Sequence, residues 1–211
     1  MDERGDAIVP FFLTRTLVSM TQREKTSVTL AALYALNKRN DALRVLERNG
    51  HSPRQLVELF FHLSLLLGFP SMLDGMEKLA LLGLLPRNSS RGTRTKAYRQ
   101  RGLKTLRRVY GAQTDKLLKS LKSIQPGLPA IIVEDVYGKV IARSGMTLRE
   151  RELVNVTVLT IQGLNRQLHS HVRGALRVGV TPASLRDVLR FLARRYRVNV
   201  SAARELLSQL S

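Results

Sequence analysis

A chain of 211 residues with 44% apolar side chains is long enough to bury a core, as one large domain or two small ones. It has no cysteine, which excludes disulfides, thiolate zinc sites and thiol redox chemistry. Thirty-five Lys and Arg against sixteen Asp and Glu give a net charge of +19, a field that attracts polyanions, acidic membranes and small anionic substrates without choosing among them.

The opening "MDERGDAIVPFF" begins with acids rather than a basic stretch and does not read as a signal peptide. Apolar runs such as "HLSLLLGFPSML" are too short and interrupted to span a bilayer, so a cytoplasmic protein with no membrane partner is expected. Thr21 and Glu24 form a T-x-x-E capping box, which starts a helix. Gly50 ends the next helix, and Ser52-Pro53 sets a capping hydroxyl before a proline at the first position of another. The same grammar returns later as Thr147 with Glu150, then Gly179, then Thr181-Pro182. "SMTQREKTSV" (19–28) matches "GMTLRERELV" (145–154), and "NGHSP" (49–53) matches "VGVTP" (178–182), at an offset that drifts from 126 to 129 residues. Residues 19–82 and 145–210 are therefore expected to superpose as two copies of one helical unit.

Between these copies, residues 87–122 hold twelve Lys or Arg and a single acid, Asp115. Residues 87–95 read as a linker, whereas 96–122 carry Leu103, Leu106, Val109 and Leu117 and are expected to form exposed basic helices. "PAIIVEDVYGKVI" (129–141) competes as a strand through its β-branched residues, and its helical surroundings favour helix.

Toward the C-terminus, Glu152 lies in "ELVNVTVLTI", where apolar residues occupy almost every side of a helix. A carboxylate there needs a partner or a raised pKa, and its ordinary role is an ion pair with one of the many arginines. His169 and His171 stand two positions apart, so on a helix they point about 200° apart and cannot serve one site together. Leu164, Leu168, Val172, Ala175 and Leu176 make one apolar stripe, with His171 at its edge beside the small Gly174 and His169 on the surface side. The ordinary role for such an edge histidine is a bond to a backbone carbonyl; the functional role is proton transfer. Arg166, Arg173 and Arg177 share the outer face, either solvated or guiding an anionic substrate. No H-E-x-x-H, P-loop or G-x-G-x-x-G occurs, and no metal site is expected.

"LRRVYG" (106–111), "YGKVIARSGMTLRERELVNV" (137–156) and "QLHSHVRGALRVGVTPASLRDVL" (167–189) resemble, in order and approximate spacing, the carboxymuconolactone decarboxylase family. The resemblance implies an all-α fold, a duplicated alkylhydroperoxidase D-like helical unit. It divides the chain into a degenerate N-terminal repeat (1–86), a basic linker (87–98) and a decarboxylase-like domain (99–211). Alkylhydroperoxidase D-like members carry a Glu, a Cys-x-x-Cys and a His. Counted back from His171, the glutamate falls on Glu152, and the cysteines fall on Leu164 and Gln167.

The resemblance therefore implies the thiol-free branch: a cofactor-free lyase using acid–base chemistry on a small carboxylate or lactone. Glu152 and His171 would be catalytic, and Gln167, Arg173 and Arg177 would bind the small anionic substrate. A homo-oligomer is implied, a trimer if each chain supplies two of six units. In the N-terminal copy, Thr26 falls in the Glu column and Ala42 (or Leu43, depending on the gap) in the His column, His51 and His62 lie elsewhere, and that copy reads as scaffold. A Glu and a His meeting across two helices make a proton relay, which should border a cavity near Gly174. The alternative is a non-catalytic family member whose 87–122 segment binds polyanions such as nucleic acid. With only Tyr98 and Tyr110 to stack on bases, such binding would be phosphate-driven and non-specific.

Overall fold

Helical periodicity over most of the sequence leads to helices throughout the computed structural model, which describes residues 17–48, 52–86 and 96–210 and has no strand among them. Residues 87–95 of the expected linker, with Gly50 and His51, lie outside the described residues. The chain divides into two compact units, residues 17–48 with 152–210, and residues 52–151.

In the first unit, helix α1 (Gln22–Ala35) opens with the expected capping box. Thr21 Oγ1 accepts from the Glu24 amide at 3.3 Å, and Glu24 Oε2 accepts from the Thr21 amide at 2.8 Å. Val28, Leu30, Ala31, Ala32 and Leu33 are all buried, so α1 runs through the core rather than over it. After α2 (Arg39–Leu46), the unit is completed by most of α6 (Leu148–Gln162), then α7 (Asn165–Arg177), α8 (Pro182–Tyr196) and α9 (Ser201–Leu210). Thr181 caps α8 by accepting from the Ser184 amide at 3.1 Å, with Pro182 at the first position. Ser19 donates to buried Asp187 on α8 through its hydroxyl (2.7 Å) and its amide (2.9 Å).

The second unit holds α3 (Pro53–Leu81), α4 (Lys96–Tyr110), α5 (Thr114–Ile124), a π-helix (Ile131–Ile141) and the start of α6. Ser52 caps α3 and Pro53 sits at its first position. The helix breaks at Gly68, with φ at 80°, two residues before Pro70, whose missing N–H and ring make an uninterrupted helix costly. By length and composition α3 suffices to cross a membrane, which the run lengths in the sequence did not suggest, and 39% of its most apolar window is buried.

Lys96 to Tyr98 belong to α4, so the helix starts inside the stretch expected to be linker. The stretch whose β-branched residues compete as a strand is helical, as its surroundings favoured, and Ile131–Ile141 form the π-helix, since every described neighbour is helical and offers no edge to pair with. It packs on α4 at backbone distance through two glycines. A Cβ on Gly102 would stand 1.9 Å from the Val133 carbonyl oxygen, and one on Gly138 would stand 2.5 Å from that of Tyr98.

Candidate functional site

Helix α6 opens with a second capping box, in which Glu150 Oε2 accepts from the Thr147 amide at 2.7 Å and Thr147 Oγ1 accepts from the Glu150 amide at 3.1 Å. Glu150 is also buried and accepts from Gln55 Nε2 at 3.3 Å, so it is more than a cap. Beyond that first turn, Leu153, Val154, Val156, Val158 and Leu159 are buried, which leaves α6 with no watery side there. Glu152 is only 1% exposed in this setting.

Helix α7 is amphipathic, with Leu168, Val172, Gly174 and Ala175 buried and Arg166, Gln167, Arg173 and Arg177 exposed. Leu164 does not join the buried stripe; it immediately precedes the helix and is 42% exposed. At the edge of the stripe, the His171 side chain is 18% exposed, and its Nδ1 lies 2.9 Å from Glu152 Oε2.

A third residue joins this pair. Asn155, one turn along α6 from Glu152, donates through Nδ2 to Glu152 Oε1 at 3.3 Å, and the same nitrogen lies 3.1 Å from His171 Nδ1. The two carboxylate oxygens are thus divided between imidazole and amide. With a proton on Nδ1 donated to Glu152, the ring turns its other nitrogen, Nε2, into a base. Once Nε2 is protonated, the buried carboxylate stabilises the resulting imidazolium. Asn155 was not singled out in the sequence, although a polar residue three positions from a buried acid on an otherwise apolar helix is a readable signal.

The other candidate residues divide by direction. Gln167 lies one turn before His171 on the same side of α7. Arg173 and Arg177 are rotated by more than a right angle from His171, so the structure does not bring them to the pair. Gly174 is buried. A cleft of about 420 Å³ in the same unit is lined by Thr160, Asn165, Leu168, Tyr196 and Arg197 among others, and its walls include neither Glu152, His171 nor Gly174. Burial pushes the Tyr196 hydroxyl up to about 12. Thr26 on α1 and Ala42 on α2 are both buried. Among the described residues, no three His, Asp or Glu side chains gather as a metal site.

The second unit contains a buried ion cluster that the sequence reading passed over. Glu58 accepts from Arg143 Nε at 3.0 Å through each of its oxygens, and from Arg151 Nη2 at 3.3 Å. Arg151 has no exposed surface, and its Nε and Nη1 make no hydrogen bond. Burial holds its guanidinium below the ordinary arginine range, against the opposing pull of Glu58. The available signal was a glutamate inside the apolar run "LVELFF".

Residues 131–208, spanning the π-helix, α6 to α8 and most of α9, match the carboxymuconolactone decarboxylase family. The chain is also similar to Peroxisomal protein 2 of Schizosaccharomyces pombe (strain 972 / ATCC 24843), 32% identical over 83 residues. That alignment covers 39% of this chain and 39% of the relative, so the chain spans well under half of the relative's length. Glu152, Asn155 and His171 all lie within the stretch that matches the carboxymuconolactone decarboxylase family.

Proposed function

We propose that the chain is a cofactor-free, decarboxylase-like acid–base enzyme acting on a small carboxylate or lactone. In this reading the bond from substrate carbon to carboxylate breaks, carbon dioxide leaves, and the electron pair is held as an enolate by the adjacent carbonyl. His171 Nε2–H then gives its proton to that carbon and recovers one from water, while Glu152 holds the ring and offsets its charge. Asn155 positions the carboxylate. The observation that carries this reading is the 2.9 Å contact between His171 Nδ1 and a carboxylate that is 1% exposed. A buried acid spent on orienting a partly exposed imidazole is the arrangement proton transfer needs.

The test is a panel of lactone-carboxylates, followed by carbon dioxide release and by deuterium uptake from solvent in proton NMR spectra. His171→Ala should lower turnover about a thousandfold, with the helical circular dichroism unchanged. Turnover that survives this change would refute the assignment.

The chain further reads as two copies of one unit, 19–82 and 145–210. This is supported by the paired capping boxes, the paired helix-opening prolines, and an acid five residues after each proline, Glu58 and Asp187. A trimer would then present six units. The name of the relative attaches that protein to the peroxisome, so imaging of a tagged chain should weigh that organelle against the cytoplasm expected from the sequence.

A further inference from the structure

Helix α5 has the sequence TDKLLKSLKSI. At about 100° per residue, Leu117, Leu118, Leu121 and Ile124 fall within one sector of about 120°, and Lys116, Lys119 and Lys122 occupy the opposite side. A stripe of four aliphatic side chains on a globular protein is ordinarily buried. Here Thr114 alone among the residues of α5 is buried, the three leucines are half-buried, and Ile124 is 64% exposed. The principal packing of α5 is against its neighbours in the chain: α4, the turn at Gly111–Gln113 and the turn at Leu128–Ala130. Ile131, just beyond, is 50% exposed, and Lys104, Arg107 and Arg108 of α4 are exposed as well.

We propose that α5 docks on the surface of an anionic lipid bilayer. It would lie in the interface plane with Leu117, Leu118, Leu121 and Ile124 in the acyl boundary and with Lys116 and Lys122, at the edges of the polar side, reaching to the headgroups. Charge complementarity selects this occupant. A second copy of the chain would cover the stripe but leave the lysines on its far side unanswered. A nucleic acid answers the cations and has no use for an aliphatic stripe. An anionic bilayer answers both. Such docking is peripheral, not a span, and it departs from the expectation of no membrane partner.

The experiment is co-sedimentation of the full chain with phosphatidylcholine vesicles, with or without about a third phosphatidylserine. It is run on the wild type, on Leu121→Glu/Ile124→Glu, and on Lys116→Gln/Lys119→Gln/Lys122→Gln. Binding is expected for the anionic vesicles only, falling about tenfold or more in the stripe variant and about a hundredfold in the lysine variant. Because the chain contains no tryptophan, Ile124→Trp supplies a single reporter on an otherwise intact helix. Its emission should shift to the blue when anionic vesicles are added.

Stripe-variant binding equal to the wild type, equal binding to neutral vesicles, or an unshifted tryptophan would each overturn the proposal. Binding to duplex DNA with no binding to vesicles would assign the surface to nucleic acid. An oligomer that the stripe variant converts to monomer without lipid would assign it to a second copy.

Discussion

Replacing Glu58 by glutamine tests whether the ion cluster of the second unit is held by charge. The substitution keeps the shape of the side chain and removes the one carboxylate that faces both Arg143, 2.9 Å away at Nη2, and Arg151, 3.3 Å away at Nη2. At about 4 Å and an effective dielectric constant of about 20, each such charge pair is worth about 4 kcal/mol before desolvation. The two arginines differ in what they can do next. The Arg143 side chain is 27% exposed and can turn toward water at little cost, but Arg151 is 0% exposed and its Nε and Nη1 are already unbonded. Stranding that buried cation should cost about 3–5 kcal/mol. Glu58→Met combined with Arg151→Met removes both buried charges and fills their volume, and should lose less than about 2 kcal/mol. Urea unfolding followed by circular dichroism gives both values from midpoint and slope. A loss under about 1 kcal/mol for Glu58→Gln, or a double variant less stable than the single one, would refute the reasoning.

Two further outcomes follow from packing and burial. Burial, opposed by Arg195 and assisted by Asp41, holds the Tyr196 hydroxyl at about 12 against an ordinary value of 10.0. The unfolded chain therefore sheds this proton first, and stability should fall as pH rises from about 10 to about 12; in thermal unfolding across that window, Tyr196→Phe should flatten the decline by up to about 2 kcal/mol, and an unchanged slope would count against it. Gly102→Ala drives a methyl to 1.9 Å from a backbone oxygen that cannot rotate away, and should cost about 3 kcal/mol in the same urea assay.

What could be read from the sequence was mostly what local chemistry decides. The T-x-x-E boxes at Thr21 and Thr147 and the caps before Pro53 and Pro182 satisfy the first amides of a helix with side chains a few residues away, and they form as written. Glu152 was recognisable as a buried acid because a helix with apolar residues on every side has nowhere to expose it. Its contact with His171, nineteen positions on, is tertiary, and the periodicity of either helix alone does not select it over an arginine. Arg143 and Arg151 escaped for the same reason, since each looks like surface charge until α3 and the start of α6 are folded, whereas Glu58 offered a signal in its apolar run but not its partners. The π-helix was read as helix but not as a widened one, because that depends on how closely Gly102 and Gly138 let two backbones approach.

The first unit draws its helices from both ends of the chain, and the Ser19–Asp187 pair closes across 168 positions. Contacts so distant in sequence carry a large loop-closure entropy and slow the step that forms them. On the ribosome, α1 and α2 emerge first and wait with Val28, Leu30 and Leu33 uncovered until α7 and α8 have been made. The second unit is one continuous stretch and can close in the meantime. Synthesis of the chain thus includes an interval in which an apolar N-terminal hairpin is exposed, and holding chaperones or a fast tract of codons across residues 87–151 would shorten its risk of aggregation.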